Sequence, residues 1–127
     1  MWIIWLNMNI LFVCVGNSCR SQMAEGIAKN LGFNASSAGT HPASSVNENA
    51  LLVCEEIGID ISNQYPKSVD QFSAEDFDLV ISMGCGVSCP AMRIDQDWEL
   101  EDPVGLSEDV YRNTRDEIQR RLESLNS

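Results

Sequence analysis

The chain has 127 residues, enough for one domain with its own hydrophobic core and too few for two. Hydrophobic residues make up 44% and charged residues 21%, which excludes disorder along the whole chain. Eight Lys and Arg against nineteen Asp and Glu give a formal charge of −11; such a field repels nucleic acid and anionic membranes, so an anionic substrate must be held by local donors.

Met1-Trp2-Ile3-Ile4-Trp5-Leu6 is apolar but lacks a basic flank and a small-residue cleavage site, so it does not read as a signal peptide. Residues 1–7 read as a short extension of the first strand, and Met8 is an alternative start. No apolar run reaches the length of a membrane span. Asn9 to Val15 is a continuous apolar run and predicts a strand buried on both faces. Gly16-Asn17-Ser18 breaks it, and from Arg20 a helical stripe of Met23, Ala24, Ile27, Ala28 and Leu31 runs to a stop at Gly32. Phe33 to Ser37 predicts a second strand, followed by a loop at Ala38 to Pro42.

Asn47 caps a second predicted helix through Ile57, with Ala50, Leu51, Cys54 and Ile57 inward and Gly58 as its stop. A short helix is expected within Pro66 to Phe72, a buried strand at Asp78 to Met83, and a short last strand at Trp98 to Leu100. Ser107 opens the final helix, with Glu108 and Asp109 near its positive end and a stripe of Val110, Tyr111, Ile118, Leu122 and Leu125. Strands alternating with helices predict an α/β fold in which a parallel sheet is covered on both faces. Ligands in such sheets sit beyond the carboxyl ends of the strands, where the loops at 14–20 and 84–92 both fall.

Five cysteines (Cys14, Cys19, Cys54, Cys85 and Cys89) are an odd number, which argues against a secreted disulfide framework and for a reducing, cytoplasmic setting. Cys14-Val15-Gly16-Asn17-Ser18-Cys19-Arg20-Ser21 places a cysteine at the end of a buried strand and an arginine at the start of a helix. Backbone N–H groups from Val15 to Arg20 can curl around a tetrahedral oxyanion, and the Arg20 guanidinium can grip two of its oxygens. The same donors favour a thiolate on Cys14, the form that attacks, and Ser21 is near enough in sequence to donate to it.

The segment from Val13 to Gly26 resembles the low-molecular-weight protein tyrosine phosphatase superfamily, and within it the thioredoxin-coupled arsenate reductases. Ser37-Ala38-Gly39, Asp60 to Asn63, Met83 to Gly86, Cys89-Pro90 and Asp97 to Pro103 extend the resemblance over about residues 8 to 125. It implies one three-layer αβα domain over 1–127 with a four-stranded parallel sheet, acting as a monomer without a cofactor. It also implies a reaction: Cys14 attacks arsenate while Asp102 protonates a departing oxygen. Cys85 then attacks the Cys14 sulfur, releasing arsenite, and Cys89 attacks Cys85 to leave a disulfide that thioredoxin reduces. Residues four apart in a helix hold their Cβ atoms about 5–6 Å apart, and a disulfide needs about 3.8 Å. The segment carrying Cys85 and Cys89 must therefore distort, which Gly84 and Gly86 make easier. The family often spaces this pair more widely, which leaves the order of Cys85 and Cys89 open.

Val104-Gly105 follows Asp102-Pro103, where the family's tyrosine phosphatases carry aromatics, and this disfavours a phosphotyrosine substrate. Two rivals remain: a small phosphomonoester phosphatase, and a zinc- or arsenite-binding protein using Cys14, Cys19, Cys85 and Cys89. Cys19 reads as a spectator whose backbone serves the loop, Cys54 as a core thiol, His41 as a surface residue and Trp98 as packing beside the acid. Some family members bind potassium; Asn17, Glu25 and Ser37 match three such ligands, but the ammonium of Lys67 would compete, so no metal site is assigned.

Overall fold

The computed structural model describes residues 8–84 and 92–125. Its sheet has four parallel strands, β1 (Asn9–Cys14), β2 (Asn34–Gly39), β3 (Leu79–Ser82) and β4 (Gln96–Asp97), in the order β2-β1-β3-β4. Among the described residues three α-helices accompany them: α1 (Arg20–Asn30), α2 (Glu48–Glu55) and α3 (Glu108–Leu125). The four-stranded α/β expectation is met, with unequal outer layers. Alternation along β1 sends Ile10, Phe12 and Cys14 into a core shared with Met23 and Ile27 of α1, Val53 of α2 and Ile118 of α3. Leu11 and Val13 point the other way, with Ala38 and Val80, toward Val69, Phe72, Phe77, Met92 and Ile94. That second face is covered by two single 3-10 turns, Val69–Gln71 and Ala74–Asp76, and by chain around 92–94.

Four of the expected elements differ from the sequence reading by more than a residue at an end. β2 runs on to Gly39 because its register with β1 continues to the pair Cys14 and Gly39. α2 ends at Glu55, short of Ile57, and its fully buried residues include Val53, while Leu51 is half-buried. Only one 3-10 turn forms within Pro66 to Phe72; Ser68 bridges to Gly39 in the sheet and keeps the chain extended until Val69. The last strand is Gln96–Asp97 instead of Trp98 to Leu100. Gln96 and Asp97 pair with Ile81 and Ser82 at an exposed edge. Trp98 instead turns inward, its ring 6.1 Å from that of Phe12, and Glu99 at φ +49° leaves the extended conformation. An edge strand of two polar residues carries no hydrophobic signal, whereas the buried tryptophan beside it does.

The cap at Asn47 and the stops at Gly32 and Gly58 are as expected. Asn47 Oδ1 accepts from the Asn49 amide at 2.8 Å to start α2, and Gly32 and Gly58 follow their helices at φ +101° and +78°. Among the described residues no helix is long and apolar enough to cross a membrane. β1 has β2 on one side and β3 on the other, so the chain leaves it in opposite directions across the sheet. The crevice outside such a switch point is where open α/β sheets take ligands. Cys14 ends β1 there, and Gly84 follows β3 at the same end.

Candidate active site

The loop after β1 is tied down from outside. The amides of Thr40, His41, Ala43 and Asn47 donate to the carbonyls of Cys14, Val15, Gly16 and Ser18 at 2.8 to 3.2 Å. A trans peptide unit presents its N–H opposite its C=O. The N–H groups of Val15, Gly16, Asn17 and Cys19 are therefore turned inward, and the Asn17 amide lies 3.2 Å from Cys14 Sγ. Next in line is the N-terminus of α1, where Cys19 makes no side-chain cap and the first turn holds no acidic residue. Its N–H groups are left to an incoming anion, reinforced by the helix dipole.

Cys14 is buried, with the Ser21 hydroxyl 2.8 Å from its sulfur. Asn17 adopts φ +50°, a left-handed conformation that asparagine tolerates better than most residues. Its Nδ2 donates to Ser21 Oγ at 2.7 Å. Arg20 is 5% exposed, and its Nη1 donates to the carbonyls of Met83, Gly84 and Leu100 at 2.9, 3.3 and 3.1 Å. One edge of the guanidinium is thus held by the chain that leaves β3 and by the chain that approaches Asp102. Arg20 Nη2 lies 3.9 Å from Asp102 Oδ2, with the arginine side chain 6% exposed and the aspartate 58%. The cation lies deep and the acid stands at the mouth. Asp102 Oδ1 accepts from the Val104 amide at 3.1 Å, which fixes its backbone as a turn. Cys14, Val15, Gly16, Ser18, Cys19, Arg20, Asp102 and Val104 line one cavity of about 220 Å³.

The sequence-predicted residues Cys14, Val15, Gly16, Asn17, Ser18, Cys19, Arg20, Ser21 and Asp102 are thus brought together. Cys85 and Cys89 lie outside the described residues. Gly84, at φ +107°, is the last residue described before them; a Cβ there would sit 3.0 Å from the Leu100 carbonyl oxygen and 3.1 Å from Arg20 Nη1. Cys19 is buried, its thiol 3.9 Å from the Tyr111 hydroxyl; burial pushes that thiol up, and burial likewise holds the Tyr111 hydroxyl at about 12. Cys54 is fully buried in the core and pushed up to about 12, chiefly by burial. His41 is exposed. Glu25 accepts from Ser37 Oγ and Lys29 Nζ, both at 2.6 Å, and Lys67 Nζ stands 3.5 Å away, so two ammonium groups already serve this carboxylate. Among the described residues no group of three or more His, Cys, Asp or Glu could hold a metal ion.

Two residues next to the site stand in the motifs that carry the resemblance but were given no role of their own. A Cβ on Gly39 would lie 2.5 Å from the Val15 carbonyl oxygen and 3.0 Å from the amide nitrogen and Cβ of Asn17, so only glycine lets β2 pass this close to the anion loop. Gln22 is fully buried and bonded to Asn17, although helical periodicity assigns it to a polar face. No charge pattern marks this, since α1 carries Arg20, Glu25 and Lys29; the structure nonetheless buries every residue from Arg20 to Ala28. A helix buried all round has no solvent face on which to place its polar residues.

Residues 9–127 match the low molecular weight phosphotyrosine protein phosphatase family. The chain is 46% identical over 124 residues to a protein of Synechocystis sp. named glutaredoxin arsenate reductase, covering 91% of this chain and 94% of that one. A solved structure described as an arsenate reductase in the phosphate binding state superposes with a TM-score of 0.86 at 44% identity, covering 94% of this chain and 96% of that one. A low molecular weight protein tyrosine phosphatase from T. tengcongensis superposes with a TM-score of 0.76 at 34% identity, covering 94% and 97%. The match over the anion loop, all four strands and the acid turn shows that this chain belongs to the low molecular weight phosphotyrosine protein phosphatase family.

Proposed function

We propose that the protein reduces arsenate to arsenite through a relay of Cys14, Cys85 and Cys89. The observation that carries this reading is the convergence of Cys14, Arg20 and Asp102 on one cavity, at the sheet end after which the sequence carries two further cysteines. The Cys14 thiolate attacks As(V), and an oxygen leaves with a proton from Asp102 as water. The inward amides and Arg20 hold the remaining arsenate oxygens. Cys85 then attacks the Cys14 sulfur: an S–S bond forms, the S–As bond breaks, and its electron pair stays on arsenic as arsenite departs. Cys89 attacks Cys85, which frees Cys14 and leaves a Cys85–Cys89 disulfide. Two thiols become one disulfide, which balances the two electrons that arsenic gains.

In this reading an external dithiol protein restores the pair, with thioredoxin as the donor, and the chain works as a single-domain monomer in the reducing cytoplasm. A second donor has a specific observation in its favour, the name glutaredoxin arsenate reductase carried by the 46% identical relative. The test is arsenate-dependent NADPH consumption with thioredoxin and its reductase, against glutathione, glutaredoxin and glutathione reductase. Turnover with thioredoxin alone supports the relay as written. Turnover only in the glutaredoxin system moves the donor and keeps Cys14 chemistry. No turnover with either, together with hydrolysis of a small aryl phosphate, supports a phosphomonoester phosphatase instead. That alternative rests on the family's phosphatases and on a loop that suits phosphate as well as arsenate.

A further inference from the structure

Gln22 is among the largest fully buried side chains in the protein, and it is polar. A buried amide costs about 1–3 kcal/mol when its bonds are unmade, and a methionine of the same length would fill the space without that risk. Both polar atoms of its side chain are engaged. Its Nε2 lies 3.0 Å from the Asn17 carbonyl, 3.1 Å from Asn17 Oδ1 and 2.9 Å from the Tyr65 carbonyl. Its Oε1 accepts from Gln64 Nε2 at 2.8 Å, and the same Gln64 nitrogen reaches the Gln22 carbonyl at 3.0 Å.

Backbone groups set the direction of this chain, because a carbonyl only accepts and an amide N–H only donates. The Gln22 carbonyl requires the nitrogen of Gln64 beside it. The carbonyls of Asn17 and Tyr65 require the nitrogen of Gln22. The Lys67 amide, 2.9 Å from Asn17 Oδ1, requires the oxygen of Asn17 on that side. The Asn17 nitrogen must then face Ser21, whose oxygen accepts at 2.7 Å and whose single proton is left for Cys14 Sγ at 2.8 Å. The two N–H groups of Gln22 Nε2 are shared among three acceptors, two of them the side-chain and backbone oxygens of Asn17, and Asn17 also aims its own N–H at the sulfur from a left-handed φ of +50°.

We propose that Gln22, oriented by Gln64, is a positioning residue that fixes Asn17 so that the Ser21 hydroxyl donates to the Cys14 sulfur. The inference rests on the reading of Cys14 as the attacking thiolate. Without Gln22, Asn17 loses two of its bonds, and both donors to the sulfur lose their aim. The role is tested on the full chain, reduced, by the rate of Cys14 alkylation with iodoacetamide against pH, read by mass spectrometry of the peptide containing Cys14. Gln22→Met should move the midpoint of that profile up by about half to one pH unit, a part of the roughly one to two units that a full hydrogen bond to a charged group is worth, because Ser21 is misaimed and not removed. Gln64→Met should move it the same way by less. In a Ser21→Ala background the Gln22→Met step should move it by less, because only the Asn17 amide is then left to lose its aim.

An unmoved midpoint in folded Gln22→Met, or an equal shift with and without Ser21, overturns the proposal in favour of a packing role. If Gln22→Met does not fold, Gln64→Met carries the test, and an unmoved midpoint there overturns it. Alkylation involves no arsenate. A shifted profile in a protein that reduces no arsenate therefore refutes only the functional reading, and arsenate turnover with an unshifted profile refutes only this one.

Discussion

Replacing Gly39 with alanine tests whether the anion loop is held to its shape by the strand beneath it. The new Cβ would stand 2.5 Å from the Val15 carbonyl oxygen, about 0.9 Å inside the 3.4 Å at which ordinary contact begins, and 3.0 Å from two atoms of Asn17. β2 has little room to retreat: Gly39 pairs with Cys14 in the sheet, and its amide donates to the Lys67 carbonyl at 2.8 Å. The loop must give instead, at the residues whose amides face Cys14. Overpacking of this kind costs about 1–3 kcal/mol of stability, which leaves a domain of this size folded. A displacement near 1 Å in catalytic geometry costs on the order of 10²-fold in rate. Gly39→Ala should therefore lower kcat for arsenate and for a small aryl phosphate together, by roughly 10- to 100-fold, with a modest fall in Tm. Steady-state kinetics on both substrates and a thermal melt measure this. Unchanged kcat in a folded variant would show that the loop tolerates displacement, and the argument from its tight backing would fail.

Asp102→Asn keeps the turn to Val104 and removes the transferable proton, so the first chemical step should slow by about 10²–10⁴-fold. Rapid-quench single-turnover rates measure it, and an unchanged rate removes Asp102 from the acid role. Cys54, held at about 12 chiefly by burial, should remain unalkylated in native protein at pH 8 and react on unfolding. Labelling in native protein at the rate of an exposed thiol would contradict its place in the core. Glu56 accepts from Arg112 and Arg115, joining α2 to α3, and these bonds, Arg112 first, hold its carboxyl down at about 2 against an ordinary 4.5. A depressed folded value gives stability that is present above 4.5 and lost as pH falls toward 2. The Tm gap between the protein and Glu56→Gln should therefore be open at pH 7 and close between pH 4.5 and 2. A gap independent of pH would show that the ion pairs contribute nothing measurable.

Strong local signals were legible in the sequence. The apolar run before Cys14 gave a strand buried on both faces, and the break at Gly16-Asn17-Ser18 placed the nucleophile at its carboxyl end. Asn47 and Gly32 marked helix ends through cap chemistry that acts within a few residues. Long-range pairing was harder to read. β4 depends on the exposed edge of β3, and its two polar residues have no pattern of their own. Gln22 and Gly39 matter because of Asn17, Gln64 and Val15, neighbours that no periodicity brings to mind. Arg20 was expected as an anion clamp, and it also ties the ends of two strands to the loop through three carbonyls. Such contacts depend on the strand order, which motif spacing does not encode.

The relay is the central claim, and Cys89→Ser tests it most directly. The reduced variant is mixed with excess arsenate without an external reductant, arsenite is counted per chain, and the disulfide is located by peptide mapping. The account predicts about one arsenite per chain, from the two-electron balance, and a trapped Cys14–Cys85 bond. Arsenite well beyond one per chain, or no arsenite and no bond to Cys14, would contradict it.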